Sequence, residues 1–292
     1  TRLIKLPNGA QCETNDLKAI SVLERLTNLN YGMRVVHFLE SRWRIVVCSL
    51  IGLIFCIGIF ITYGIPLLAK KIANSLPPEV TNELSEQTLK ILDGRFLKPT
   101  ELSQEKIAEL QEIFIQLNKE IDTEFNCRLE FRKSPIIGPN AFALPSGLII
   151  MTDELVKLAD NNRELEGIFI HEIAHVKKRH GLRSIIQNAG IFLLISTLAG
   201  DITSITSTAA SLPTLLAQSN YSRKFEKEAD RFTVLYFIQK KWNIKPYQDI
   251  LLRIAKDMPN YPGESLLSSH PLTNDRIKYI QELEESMAKK RP

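Results

Sequence analysis

A run of 25 residues from Ile45 to Ala69 carries no charged side chain, and this constrains the chain more than any other feature. As a helix rising 1.5 Å per residue the run reaches about 38 Å, enough to cross a hydrocarbon layer of about 30 Å with some tilt. Its apolar residues, among them Val46, Leu50, Ile54, Ile57 and Phe60, surround the helix axis, whereas a core helix of a soluble domain normally keeps a polar face. A cleaved leader fits poorly, because the run is too long and no small-x-small cleavage site precedes Lys70. The expected element is therefore one retained transmembrane helix over 45–69. Arg34, Arg42 and Arg44 precede it while Lys70 and Lys71 follow, a bias toward a cytoplasmic N-terminus. The bulk of the chain is then expected on the periplasmic or extracytoplasmic side of the cell membrane, held to lipid by a single pass.

The remaining sequence is long enough for one substantial core. Of 292 residues 44% are hydrophobic and 24% charged, which excludes a disordered chain. A formal charge of +4, with basic residues scattered and not striped, argues against nucleic acid as a partner. Cys12, Cys48, Cys56 and Cys127 form no CxxC pair, so neither a disulfide framework nor a cysteine metal site follows. The patterning divides the chain into a small N-terminal segment (1–44), the anchor (45–69), a juxtamembrane spacer (70–99) and a large C-terminal domain (100–288). In the first, 3–6 reads as a strand, Asn8-Gly9 as a turn and 16–29 as a short helix. In the spacer, 79–97 reads as weakly helical after Pro77-Pro78.

Beyond Thr100 an apolar stripe of Leu102, Ile107, Leu110, Phe114, Leu117 and Ile121 predicts an amphipathic helix. Cys127 to Phe131 alternates with period two, and Leu148 to Met151 follows a Pro145-Ser146-Gly147 turn, so a small sheet is expected. Between these, Asn140, Ala141 and Phe142 begin an extended edge to which a peptide could add by main-chain hydrogen bonds. Asn161 or Asn162 is placed to cap the next helix.

That helix carries His171-Glu172-Ile173-Ala174-His175. At about 100° per residue the two histidines stand roughly 40° apart and can offer ring nitrogens to one ion. Glu172 lies beside them, placed to take a proton from a water that the ion acidifies. Two histidines leave a hydrolytic zinc incomplete. In Tyr221 to Asp230, Ser222 can cap a helix on which Glu226 and Asp230 share a face. Glu226 is the expected third ligand and Asp230 the acceptor that orients a ligating histidine, while Glu228 points away. His180 lies about 180° around a continuous helix from His171, so a helix cap or packing contact is expected of it. His270 sits on a loop before a helix that Thr273 could cap. From spacing alone it reads as a surface histidine, although it or Arg276 could serve an oxyanion.

These motifs together resemble a family of zinc metallopeptidases that includes the bacterial HtpX proteases, the CAAX prenyl endopeptidases and periplasmic proteases of outer-membrane assembly. The resemblance spans about Leu97 to Leu283 and rests on Asn140 to Pro145, His171 to His175, Ser222 to Asp230, and Ser269-His270-Pro271 with Arg276. It implies one zinc per chain on His171, His175 and Glu226, Glu172 as base, Asp230 behind the ligands, and His270 and Arg276 in the active site. It also implies that the His-Pro loop histidine can occupy the water position and restrain activity. The single span departs from the multi-spanning CAAX endopeptidases: Ala189 to Gly200 is too short to cross and is expected to form a helical hairpin with Ile202 to Leu216.

The expected fold is α+β and mainly helical, a zincin-like catalytic domain with a small sheet plus one transmembrane helix. The expected function is hydrolysis of peptide bonds in membrane or cell-envelope proteins, in protein quality control. The competing expectation is a chaperone-like or adaptor protein with a gated, weakly active site. Protein or peptide substrates and membrane lipid are the expected partners; the sequence names no oligomeric partner.

Overall fold

In a computed structural model, the structure describes residues 2–5, 9–26, 43–121, 125–198, 204–217, 221–257, 261, 270 and 274–288. The chain divides into two compact units, Thr1–Thr62 and Tyr63–Pro292. In the first, β1 (Arg2–Lys5) and β2 (Gln11–Thr14) pair antiparallel. Gly9 lies between them at φ +83°, the left-handed backbone that the Asn-Gly signal anticipates. Helix α1 (Leu17–Leu26) follows, with Asp16 Oδ1 accepting from the N–H of Lys18 and Ala19. The apolar run begins at Trp43, as α2 (Trp43–Ile59).

The helix passes through a π turn (Phe60–Gly64) into α3 (Ile65–Ser75), so the helical stretch is longer than the expected 45–69. The division at Thr62 also departs from the expected boundaries. The stretch 70–99, expected as a juxtamembrane spacer, carries packed structure. Helix α4 (Pro78–Arg95) packs into the second unit, because Leu92 and the following Leu97 close an apolar cluster with Ile137, Leu144 and Leu148.

The sheet of this unit runs β3-β4-β6-β5, from β3 (Lys98–Pro99), β4 (Arg128–Lys133), β5 (Ala141–Ala143) and β6 (Leu148–Thr152). Strand β6 pairs parallel with β4 and antiparallel with β5. All five residues of β6 are buried, and period two divides them. Ile149 and Met151 enter a large core and Leu148 and Ile150 a smaller one on the opposite face, as expected for an interior strand covered on both faces. Strand β5 is an edge. Its turn into β6 closes with Gly147 N–H donating to Leu144 C=O, Pro145 second and Gly147 at φ +91°, the geometry of a tight hairpin with a left-handed last residue.

On the large-core face lie α5 (Gln104–Ile121), α6 (Asp153–Leu158), α7 (Asn162–Lys177), α10 (Arg223–Gln239), α11 (Lys245–Asp257) and α12 (Asn274–Ala288). Leu110, Phe114, Leu117 and Ile121 of α5 are buried as the stripe predicted. Phe114 and Phe169 of α7 meet edge to face at 5.5 Å, each burying an aromatic worth about 1.5–3 kcal/mol. Asn161 caps α7 by accepting from Glu164 N–H, and Glu164 reaches back to Asp160 N–H, a reciprocal cap that fixes the register of the helix. On the opposite face α8 (His180–Leu198) and α9 (Ser204–Ala217) form the expected hairpin. Arg179, at φ 52°, ends α7 and lets α8 start at His180. The second apolar helix is therefore 19 residues and not 12. By length and composition it joins Trp43–Ser75 as one of two described helices able to cross a membrane.

A candidate metal centre

Helices α7 and α10 cross so that His171 and His175 face Glu226. Ser222 fixes the start of α10 by accepting from Phe225 N–H, which puts Glu226 and Asp230 one turn apart on the buried face. His270 joins them from the chain before α12. The pairs His171 Nε2–His175 Nε2, His175 Nε2–Glu226 Oε1, His171 Nε2–Glu226 Oε2, His171 Nε2–His270 Nδ1 and His270 Nδ1–Glu226 Oε1 are 3.1, 3.4, 3.5, 3.4 and 2.9 Å. Tetrahedral ligands about 2.0–2.1 Å from one ion stand roughly 3.3 Å apart. One ligand atom from each of the four groups lies within 4.8 Å of the others, a grouping that could hold one cation, with His270 as the fourth member.

The electrostatics also call for a cation. Against burial, Arg276, His270 and His171 hold the Glu226 carboxyl well below the ordinary range. Burial pulls His171 down, but hydrogen bonds to Asp230 and Glu226 outweigh it and raise the ring to about 9, so a proton supplies part of the positive charge that the carboxylates demand. His175 is driven well below its usual value, by burial first, and keeps a neutral ring.

Each ligating histidine has its own support. Tyr247 O–H donates to Asp230 Oδ1 at 2.8 Å, and the Nδ1 of His171 lies 2.9 Å from the Tyr247 oxygen and 3.3 Å from Asp230 Oδ1. With Nδ1–H as the donor, Nε2 keeps its lone pair for an ion. The Tyr247 ring reaches this position because Gly167 lies one turn before His171: a Cβ there would stand 2.7 Å from Tyr247 Cδ2. His175 is held differently. Its Nδ1 lies 3.0 Å from Nδ1 of His180, whose Nε2 lies 3.2 Å from Glu228, and Glu228 also faces Arg183 at 3.4 Å. One arrangement satisfies the chain: His175 Nδ1–H donates to His180, and His180 Nε2–H donates to the carboxylate.

His180 is thus neither a cap nor a mere packing contact. A separation of 180° from His171 holds only along one continuous helix, and Arg179 breaks that helix. Tyr221, Tyr247 and Glu228 also belong to the site, although the sequence motifs do not single them out. Phe225, stacked on the His180 ring at 4.4 Å and 12°, and Tyr221, stacked on His175 at 4.0 Å, pin both rings. The i, i+2 step from Glu226 to Glu228, which reaches the far side of α10, is the available sequence signal for a second supporting carboxylate.

Glu172 is buried, its Oε1 3.3 Å from His270 Nε2. Burial raises its pKa, and Oε2 has no hydrogen-bond partner among the described residues. Arg276 is engaged by two carboxylates. Its Nε and Nη2 donate to Asp230 at 2.8 Å each, and Nη1 lies 2.6 Å from Glu226 Oε2. It is the arginine counter-ion of two buried carboxylates. Asn140, Ala141 and Phe142 lie at the β5 edge, and Asn140 and Ala141 share a cleft with His171, His270 and Arg276. Thr273 and the His-Pro loop apart from His270 lie outside the described residues.

Residues 104–284 match the profile of peptidase family M48. A putative beta-barrel assembly-enhancing protease of Vibrio cholerae is 32% identical over 152 residues, 47% of this chain and 31% of that protein. The mitochondrial metalloendopeptidase OMA1 of Saccharomyces cerevisiae is 24% identical over 153 residues, 49% of this chain and 43% of that protein. The chain therefore spans less than half the length of these relatives. Among solved structures, S. mikatae Ste24p aligns with 94% of this chain and 76% of its own, at 16% identity and a TM-score of 0.36.

Proposed function

This chain belongs to peptidase family M48, and from that premise we propose a membrane-tethered, zinc-dependent endopeptidase that cuts membrane or cell-envelope proteins in their quality control. The observation that carries the reading is the close grouping of His171, His175, Glu226 and His270 beside a buried carboxylate oxygen of Glu172 that has no hydrogen-bond partner among the described residues. Zinc on His171, His175 and Glu226 would supply a Lewis acid that polarises a carbonyl and acidifies water.

The residues around it divide the remaining work. An extended peptide adds to the β5 edge at Asn140 to Phe142 and is held by main-chain hydrogen bonds. Glu172 accepts the proton of the attacking water, an uptake that its raised pKa favours, and returns it to the leaving amine. Asp230, locked by Arg276, and Tyr247 keep His171 in the tautomer that ligates. His270 sits beside the other ligands and faces Glu172, so it acts as a gate: water enters only when that side chain moves away. The apolar run 45–69 anchors the chain in the cell membrane, with the catalytic domain (100–288) on the extracytoplasmic side.

The decisive comparison measures cleavage of an unfolded protein by wild type, chelated wild type, Glu172→Gln and His270→Ala. Glu172→Gln should lose at least about 100-fold in kcat while binding zinc as wild type does, and His270→Ala should exceed wild type. Undiminished turnover by Glu172→Gln ends the mechanism. A closed His270 gate also favours a second reading, a chaperone-like binder of low basal activity. Metal-independent capture without products, in His270→Ala as well as wild type, would establish it.

A further inference from the structure

The edge strand β5 stands between two clefts. One holds the candidate metal ligands. The other opens on the opposite face of the sheet and is lined by Leu92, Ile137, Phe142, Leu144, Leu216 and Ala217. It meets the metal centre at Tyr221, which lines the cleft, stacks on His175 and places its hydroxyl 3.4 Å from the Ala143 carbonyl.

The register says how a peptide would lie there. Asn140 C=O accepts from Thr152 N–H, and Leu144 N–H donates to Leu148 C=O. In an antiparallel pair the hydrogen-bonding residues alternate, so Asn140, Phe142 and Leu144 direct their main chain to β6 while Ala141 and Ala143 direct theirs outward. The Tyr221 hydroxyl, donating to Ala143 C=O, marks the end of the stretch to which a strand can add. A strand paired with Ala141 continues the pleat of the sheet, and its successive side chains point alternately to the two faces. One set faces α7 and the metal centre; the other faces the apolar cleft.

We infer that this cleft is the specificity pocket of the site and takes a large aliphatic or aromatic side chain of an extended peptide, at one fixed position near the scissile bond. The inference rests on the endopeptidase reading and deepens it: the substrate class is extended segments that expose Leu, Ile, Met or Phe, as unfolded envelope proteins do. Leu216 and Ala217, at the end of α9, set the depth of the pocket, and Tyr221 sets the register.

The test is cleavage-site mapping of the full chain on a library of proteolytic peptides, alongside two matched synthetic peptides with Leu or Ala at the enriched position. Wild type should prefer Leu by about 10-fold or more, the discrimination that apolar pockets reach. Ala217→Phe, which fills the cleft, should bring the ratio to within about threefold, and Leu216→Ala, which widens it, should move the preference toward Phe and Trp. Binding of the same two peptides to Glu172→Gln reads the pocket without turnover. A Leu preference in binding with no cleavage by wild type overturns the peptidase reading and supports the pocket. Cleavage without enrichment at any fixed position, or enrichment unchanged in both cleft variants, overturns the pocket and leaves the peptidase standing.

Discussion

The two ligating histidines sit one turn apart on one helix and need the same thing, a hydrogen-bond acceptor at Nδ1, yet the protein meets that need by different means. Behind His171 the acceptors are Tyr247 and Asp230, and Asp230 is gripped by Arg276 with only 4% of the arginine side chain exposed. Behind His175 the acceptor is a neighbouring histidine, His180, backed by a Glu228 carboxylate that is 33% exposed. The first support is a buried ion network assembled from α10, α11 and α12, and the second is largely a local device at the α7–α8 junction. Stability is therefore concentrated behind His171, and metal affinity should be more sensitive behind His175.

The largest effect should come from the buried side. Arg276→Met leaves Glu226 and Asp230 without their arginine partner, and breaking such a buried pair costs about 3–5 kcal/mol. Arg183→Met, the matching change behind His175, removes a contact to a partly exposed carboxylate and should cost about 1 kcal/mol or less. Chemical denaturation of the metal-free proteins separates the two. Equal losses would show that the supports are energetically alike.

Next comes metal affinity, where the order reverses. His180→Phe removes the acceptor of His175 Nδ1–H and should weaken zinc binding about 10–100-fold. His180→Gln, which can accept from His175 and donate to Glu228, should recover part of that loss. Tyr247→Phe leaves Asp230 within 3.3 Å of His171 Nδ1 and should fall short of about 10-fold. Competition with a chromogenic chelator measures all three, and a larger loss in Tyr247→Phe than in His180→Phe would refute the redundancy assigned to His171.

The same asymmetry explains what is legible in the sequence. His171, Glu172 and His175 announce themselves by spacing within one helix. Glu226 and Asp230 do so because one helical turn separates them on a single face; the apolar stripe of α5 and the strand at Arg128 follow from period, and the strand at Leu148 from an apolar run behind a turn. Tyr247 is silent: it lies 76 residues from His171, and nothing local distinguishes it from a core tyrosine until Gly167 is seen to make room for its ring. His180 misleads because helix phase extends only as far as the helix does, and no residue type at Arg179 announces a left-handed turn. The packing of 78–95 is hidden because its inward face includes Thr81, Ser85 and Thr88, whose hydroxyls donate back to the helix's own carbonyls; a face satisfied in that way carries no hydrophobic signature.

The smallest effect is a dependence on pH confined to the His175 side. The hydrogen bond from His180, with Arg183 nearby, holds Glu228 at about 2, against 4.5 for an ordinary glutamate. A carboxyl whose pKa is depressed by folding stabilises the folded state above its unfolded pKa, and that contribution disappears as pH falls from about 4.5 through about 2. Because the side chain is one-third exposed, solvent screening reduces the contribution to about 1 kcal/mol. Glu228→Gln should therefore be less stable than wild type by about that amount at pH 7, and the gap should close as pH falls below about 4.5. Paired denaturation curves on the metal-free proteins from about pH 7 to about pH 3 measure it without interference from acid release of zinc. A gap that stays constant across the range would mean that Glu228 supports His180 through shape and hydrogen bonding alone, with its charge contributing nothing.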